Sequence, residues 1–316
     1  MKLTTSLRAG YVERAMATSA RIDLLDPYEV SQLGGLELVA RGVVEGFLAG
    51  LHRSPFRGFS VEFAENRPYQ PGDELRYVDW KMLARSDRLY VKQYEEETNL
   101  RSMLVLDCSR SMDWVGAENR LTKLEYAKRL SAALTHVLLR QRDAIGLISF
   151  DDAVRRVVSP RANKRHWTTM ARAISEVSPG AGTAAEPALR RVTDLLRRRG
   201  LVILVSDLLM ERQLALTALQ FLRHRRHQVV VFHIMDPGEM TLEGPPEARF
   251  EDPEEGHHIV ARPREMRRAY AETVNKAIAD WRGSLRSGGI TYHHVTTDTP
   301  FGHVLRRVTA RSMSVR

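Results

Sequence analysis

The chain has 316 residues, long enough for one large domain or two small ones with a real core. Hydrophobic residues make up 43% and charged residues 28%, a balance that excludes wholesale disorder and a fibrous repeat. The net charge of +9 raises the question of an anionic partner, but the basic clusters at 195–200 and 221–228 end candidate helices, few aromatics are interleaved, and no binding motif is present, so nucleic acid is not the expected partner.

In chain order, the first 25 residues are poor in acids, with no apolar core and no small-residue cleavage signal, and read as an N-terminal arm rather than a transit peptide. No apolar run anywhere reaches the roughly 18 residues of a membrane span. A helix is predicted from about Val30 to Leu51. Residues 56–97 then change character, dense with turn signals and short strand-like runs. Pro71 and Gly72 suit the centre of a type II turn. The pattern divides the chain into a module at 1–98, made of the helix plus a β-rich segment, and a second domain at 99–316.

From residue 101, β-rich runs alternate with amphipathic helices. This predicts an α/β fold, a doubly wound and mostly parallel sheet. "SMLVLD" is the first strand. Thr122 caps the next helix, and Glu125 completes a capping box. Leu124, Ala127, Leu130, Leu134, Val137 and Leu138 form its buried stripe. "AIGLISF" (144–150) is the second strand, paired with "AVRRVVS" through a turn at Asp151 and Asp152. Trp167, Met170 and Ile174 mark a helix, and a further one runs from near Pro187 to Gly200. "LVILVSD" reads as a central strand buried on both faces, with "QVVVFHIMD" its partner. Residues 237–262, rich in Gly, Pro and Glu, read as a hairpin or surface excursion. A helix at about 263–286 and a strand at 290–297 follow.

In such sheets, ligands sit where loops leave the carboxyl ends of the strands. Asp107, Ser109, Ser111, Thr183 and Asp207 lie in or beside three such loops. Five oxygen donors with two charges suit a hard divalent cation that keeps some of its water, such as Mg²⁺. The serine hydroxyls are expected to coordinate directly, Thr183 directly or through water, and the aspartates to hold coordinated waters. One octahedral position is left for a carboxylate from a partner protein. Cys108 falls between ligands, so its thiol is expected to turn inward and stay inert. As the single cysteine it forms no intrachain disulfide, which fits a reducing, cytoplasmic setting. The pairs His257–His258 and His293–His294 cannot share one ion from alternating sides of a strand, and are read as surface histidines. The "EEE" at 95–97 reads as a solvated strand end.

"DCSRS", Thr183 and Asp207 resemble the metal-ion-dependent adhesion site of von Willebrand factor A domains: Asp-x-Ser-x-Ser, then Thr, then Asp. "ENRPYQPGDELRYVDWKMLARSDRLYVKQYEEE" followed by that motif is similar to a bacterial family, domain of unknown function fifty-eight (DUF58). Its pattern falls on Arg67, Tyr69, Pro71, Gly72, Asp73, Arg76, Asp79, Trp80, Ala84 and Arg85; Pro68 stands where the family commonly has Glu. The resemblance implies a protein-interaction module that works beside a MoxR-type AAA+ ATPase, as partner or substrate adaptor in complex assembly or maturation. Many such relatives look membrane-anchored through N-terminal helices, and no such helix is expected in this sequence. For Arg67, Tyr69, Asp73, Arg76, Asp79, Trp80 and Arg85, a docking surface and a tightly turned structural insert both remain open. The rival expectation is a Mg²⁺-dependent phosphatase or phosphotransferase with Asp107 as nucleophile. Ser109 then stands where such enzymes carry the second carboxylate of Asp-x-Asp, and no phosphate loop or nucleophile elbow is present.

Overall fold

The computed structural model describes residues 24–32, 34–52, 66–69, 80–86, 88–92, 101–180, 185–196, 199–242, 247–251 and 258–312. The predicted N-terminal arm up to residue 23 and the 95–97 acidic run lie outside them. By its internal contacts the chain forms two compact units, residues 51–99 and the remainder.

The larger unit opens with α1 (Pro27–Ser31) and α2 (Leu36–His52), where the sequence predicts one helix from Val30. Asp26 caps α1, its carboxylate accepting from the Tyr28 amide at 2.8 Å, and a new helix begins only after Gly34 and Gly35, residues that weaken a continuous helix. In the smaller unit, β1 (Asn66–Pro68) precedes α3 (Trp80–Ser86) and β2 (Tyr90–Lys92). β1 and β2 pair antiparallel, with Arg67 opposite Val91, and the Tyr69 amide extends the ladder to the Leu89 carbonyl at 3.0 Å.

Then come β3 (Arg101–Asp107), α4 (Lys123–Arg140), β4 (Ala144–Phe150), β5 (Val154–Arg161), α5 (His166–Ser175), α6 (Ala185–Leu195) and β6 (Leu201–Ser206). The chain continues through α7 (Arg212–His224), β7 (Gln228–Met235), α8 (Pro237–Thr241), β8 (Ala248–Glu251), β9 (His258–Ala261), α9 (Pro263–Ser287), β10 (Thr291–Thr296) and α10 (Phe301–Ser312). Six strands form one sheet in the order β10-β7-β6-β3-β4-β5. Every pairing is parallel except β4 with β5, the short antiparallel hairpin turned at Asp151 and Asp152. β8 and β9 pair as a separate hairpin inside the predicted excursion.

The central strands carry apolar residues on both faces because helices cover both. Val105, Phe150, Leu204 and Val231 pack on α6, α7 and α9 through Leu189, Leu219 and Trp281. On the opposite face α4 crosses the sheet, with its predicted stripe fully buried and Tyr126 stacked on Phe301 of α10 at 4.9 Å. Thr122 Oγ1 accepts from the Glu125 amide at 3.1 Å, half of the predicted capping box. The Glu125 carboxylate pairs with Lys128 and Arg129 instead, because cations one turn ahead attract it more strongly than a neutral amide.

α4, α7 and α9 end alike, in a Schellman motif. In α7, the His227 amide reaches the Leu222 carbonyl at 3.0 Å and the Arg226 amide that of Arg223 at 2.8 Å; the equivalent pairs close α4 and α9. The motif needs one residue at positive φ. Glycine fills it in α9 (Gly289, φ 70°), but arginine fills it in α4 and α7 (Arg142, φ 61°; Arg226, φ 64°), at a cost of about 1 kcal/mol each.

Candidate metal centre at the carboxyl edge of the sheet

β3 and β6 are neighbours in register, Leu106 beside Val205, so their ends deliver Asp107 and Asp207 to one edge of the sheet. After Asp107 the chain leaves as a single 3-10 turn, Arg110–Asp113, whose first residue follows Ser109. The turn brings the two hydroxyls together, with Ser109 Oγ 3.2 Å from Ser111 Oγ. Asp107, Ser109, Ser111 and Asp207 are all buried. Asp107 is held on both oxygens: Oδ1 accepts from the Ser109 amide at 2.9 Å and Oδ2 from the Ser206 hydroxyl at 2.6 Å. Ser206 Oγ in turn accepts from the Leu208 amide at 2.9 Å.

Thr183 lies outside the described residues. The loop that leads to it is fastened beside the motif, the Gly180 amide donating to the Cys108 carbonyl at 2.7 Å. A Cβ on Gly180 would fall 1.8 Å from Asp151 Oδ2, so only glycine allows this approach. Asp151 is a further buried carboxylate at this edge: Arg155 Nε donates to its Oδ1 at 2.6 Å, while Oδ2 has no hydrogen-bond partner.

Sequence reasoning missed Lys123. Its ammonium is fully buried, 2.8 Å from Asp207 Oδ2 and 2.6 Å from Glu239 Oε1. Burial alone would pull an ammonium down, but the two carboxylates outweigh it and hold Lys123 above the ordinary lysine range. Glu239 reaches it because α8 folds back over the edge. Asp236 caps α8 and shares a full capping box with Glu239, and Arg120 ties the same aspartate to the loop after the motif at 3.0 Å. Gly116 leaves room for this tie, since a Cβ there would meet Asp236 Oδ1 at 2.4 Å.

The electrostatics suit a cation. Burial, and then the charge of Asp207, push the Asp107 carboxyl up to about 6. Two buried carboxylates and two hydroxyls thus lie at this edge with one ammonium beside them, and that ammonium is shared between Asp207 and Glu239. Among the described residues no three His, Cys, Asp or Glu side chains gather as a metal cluster. Any cation here would therefore depend on hydroxyl donors, and Mg²⁺ accepts such a hard, partly hydrated set. Asp107, Ser109, Ser111 and Asp207 are the described residues that would hold it.

Cys108 faces away, as its alternation predicts. Its Sγ donates to the Phe150 carbonyl at 3.2 Å, and burial pushes the thiol up to about 12. The histidine expectation needs correction. His293 and His294 point to opposite faces, but they are half-buried rather than surface side chains: His293 stacks on Phe232 and His294 meets His233 edge-on. The cause is β7, which pairs with β10 along its full length and supplies aromatic neighbours on both faces. His257 lies outside the described residues. So do Asp73, Arg76 and Asp79 of the 67–85 stretch. Arg67 lies in β1 and Tyr69 just after it; Trp80 and Arg85 are exposed on α3, Trp80 at 60%.

A mostly parallel six-stranded sheet between two helical layers, with Asp-x-Ser-x-Ser leaving the end of a central strand, defines a von Willebrand factor A-like domain. The family described as "Protein of unknown function DUF58" matches residues 65–280. An uncharacterized protein of Mycobacterium tuberculosis, Rv1480, is 30% identical over 245 residues, 75% of this chain and 74% of that protein. The chain belongs to the DUF58 family. Solved structures similar to it include the conserved hypothetical protein BatB from Bacteroides thetaiotaomicron, at 19% identity and TM-score 0.46, covering 68% of this chain and 99% of that one. A von Willebrand factor type A structure from Catenulispora acidiphila has 16% identity and TM-score 0.33, covering 43% and 33%.

Proposed function

We propose that this protein is a non-enzymatic interaction module whose carboxyl-edge site takes Mg²⁺, or another divalent cation, and completes the shell with a carboxylate from a partner protein. The observation that carries the reading is the placing of Asp107, Ser109, Ser111 and Asp207 at and just after the ends of adjacent strands, two hydroxyls beside two carboxylates. Both oxygens of Asp107 and both of Asp207 already accept hydrogen bonds, which suits aspartates that act through coordinated water. Thr183 is assigned the remaining side-chain position. The partner proposed from the family resemblance is a MoxR-type AAA+ ATPase, with this chain as adaptor in assembly or maturation of a complex. The 67–85 stretch, which presents Trp80 and Arg85 to solvent, is the proposed second contact.

The test is co-purification of an ATPase of that type with the full chain, with and without chelator. Wild type retains it only with Mg²⁺, and Asp107→Ala loses it under both conditions. Equal retention by wild type and Asp107→Ala sinks the proposal, and phosphoester turnover that vanishes in Asp107→Asn would replace it with the enzymatic reading.

A further inference from the structure

The two ends of the sheet differ sharply in charge. The turns that feed the strands at the amino edge present Arg101, Arg140, Lys164, Arg199, Arg226 and Arg286 to solvent. Asp194 is the one exposed carboxylate among the described residues of those turns, and Asp143 is buried. The carboxyl edge holds Asp107, Asp151, Asp207, Asp236 and Glu239 instead, four of them ion-paired with Lys123, Arg120 and Arg155. The separation follows from topology: parallel strands start at one end, and the helices that precede them finish there, where cations are favoured.

Helix-end preference alone does not account for this edge. Arg142 and Arg226 occupy the left-handed positions where α9 uses glycine, so arginine is present where it is sterically disfavoured. Two large apolar side chains also stand among the cations, Leu195 at 38% and Phe221 at 41% exposure. They lie on the last turns of α6 and α7. Arg225 links those turns, its guanidinium 4.5 Å over the Phe221 ring and 3.4 Å from the Thr193 carbonyl.

We propose that the amino edge is a docking face for an anionic phospholipid surface. Six strands side by side span roughly 25 Å, wide enough to meet several lipid headgroups at once. The arginines would sit among acidic headgroups while Leu195 and Phe221 enter the acyl boundary, the pairing of basic and apolar side chains that interfacial anchors use. Nucleic acid fits less well: Phe221 is the single exposed Phe, Tyr or Trp among the described residues of these turns and helix ends, and Arg225 covers it. Docked this way, the protein would hold its carboxyl edge away from the bilayer, open to a soluble partner. The inference stands independently of any cation at that edge.

The experiment sediments the full chain with vesicles of phosphatidylcholine alone or mixed with phosphatidylglycerol. The expected result is partition onto the mixed vesicles only, unchanged by EDTA, and lost at roughly 1 M NaCl, where screening acts within about 3 Å. At about fivefold per arginine near an anionic surface, R225Q/R226Q lowers the partition about 30-fold. L195S/F221S weakens binding about tenfold or more through lost insertion. R264Q/R267Q removes the same charge from the exposed start of α9 and stays within about twofold of wild type. Circular dichroism confirms that each variant is folded, and if R225Q/R226Q is not, L195S/F221S and the salt response decide. Equal partition onto both kinds of vesicle overturns the proposal, as does wild-type partition by a folded R225Q/R226Q. Retention of duplex DNA without vesicle binding also overturns it and assigns the face to nucleic acid.

Discussion

Cys108 sits between two oxygen donors and faces the other way, and its chemistry follows from that side of the strand. With the thiol pushed up to about 12 by burial and then by the charge of Asp107, almost no thiolate exists at neutral pH. A disulfide reagent such as Ellman's should leave the native protein unlabelled for hours and label one thiol per chain in denaturant. Rapid labelling of the native state would mean that the 108–112 turn opens. Ser206 is the residue on which Asp107 leans. Ser206→Ala removes the donor to Asp107 Oδ2 and the acceptor of the Leu208 amide, leaving two buried polar groups unpaired. The expected loss is about 2–4 kcal/mol of unfolding free energy, measured by urea titration at fixed m-value.

At the scale of elements, helix ends give the clearest test. Arg226→Gly relieves the left-handed strain at the end of α7 and should stabilise the fold by about 0.5–1 kcal/mol, seen as a higher denaturation midpoint. A gain with simultaneous loss of vesicle binding would separate stability from docking at one residue. The strands and the long helices of the larger unit were legible because burial on both faces leaves unbroken apolar runs in the central strands and helical periodicity between them. The neighbours close in sequence, β4 with β5 and β6 with β7, were predicted as partners, but the β3–β6 pairing was not, since those strands are far apart in sequence and no single-strand pattern records its partner. The early break at Gly34 and Gly35 was missed because apolar residues continue on either side. α10 was missed because a short helix closed by basic residues lacks a strong cap signal. The capping box at Asp236 and Glu239 sits inside a Gly- and Pro-rich stretch, where composition argues for a loop although local chemistry builds a turn of helix.

For the whole molecule, the motif Asp-x-Ser-x-Ser and Asp207 could be read from sequence because each follows an apolar strand. Lys123 could not. At the first position of a helix a lysine reads as solvated, and only the packing of β6 beside β3, with α8 folded back over the edge, surrounds it with Asp207 and Glu239. If the proposed cation binds at this edge, stability depends on it in a way that tests the site. A cation bound to the native state alone adds RT ln(1 + [L]/Kd), about 2.7 kcal/mol at a hundredfold excess over Kd. Wild type should therefore unfold at higher temperature in Mg²⁺ than in EDTA, and Asp107→Ala should show no such difference. Lys123→Met leaves the buried Asp207 and the half-buried Glu239 without their ammonium and should cost about 3 kcal/mol in EDTA. It also removes the charge that competes for Asp207, so Mg²⁺ should bind more tightly and restore part of the loss. The increment from Mg²⁺ is then larger in Lys123→Met than in wild type, measured by calorimetric unfolding across a Mg²⁺ series. Equal increments would show that Lys123 has no part in setting cation affinity, and no increment in wild type would remove the cation from this site altogether.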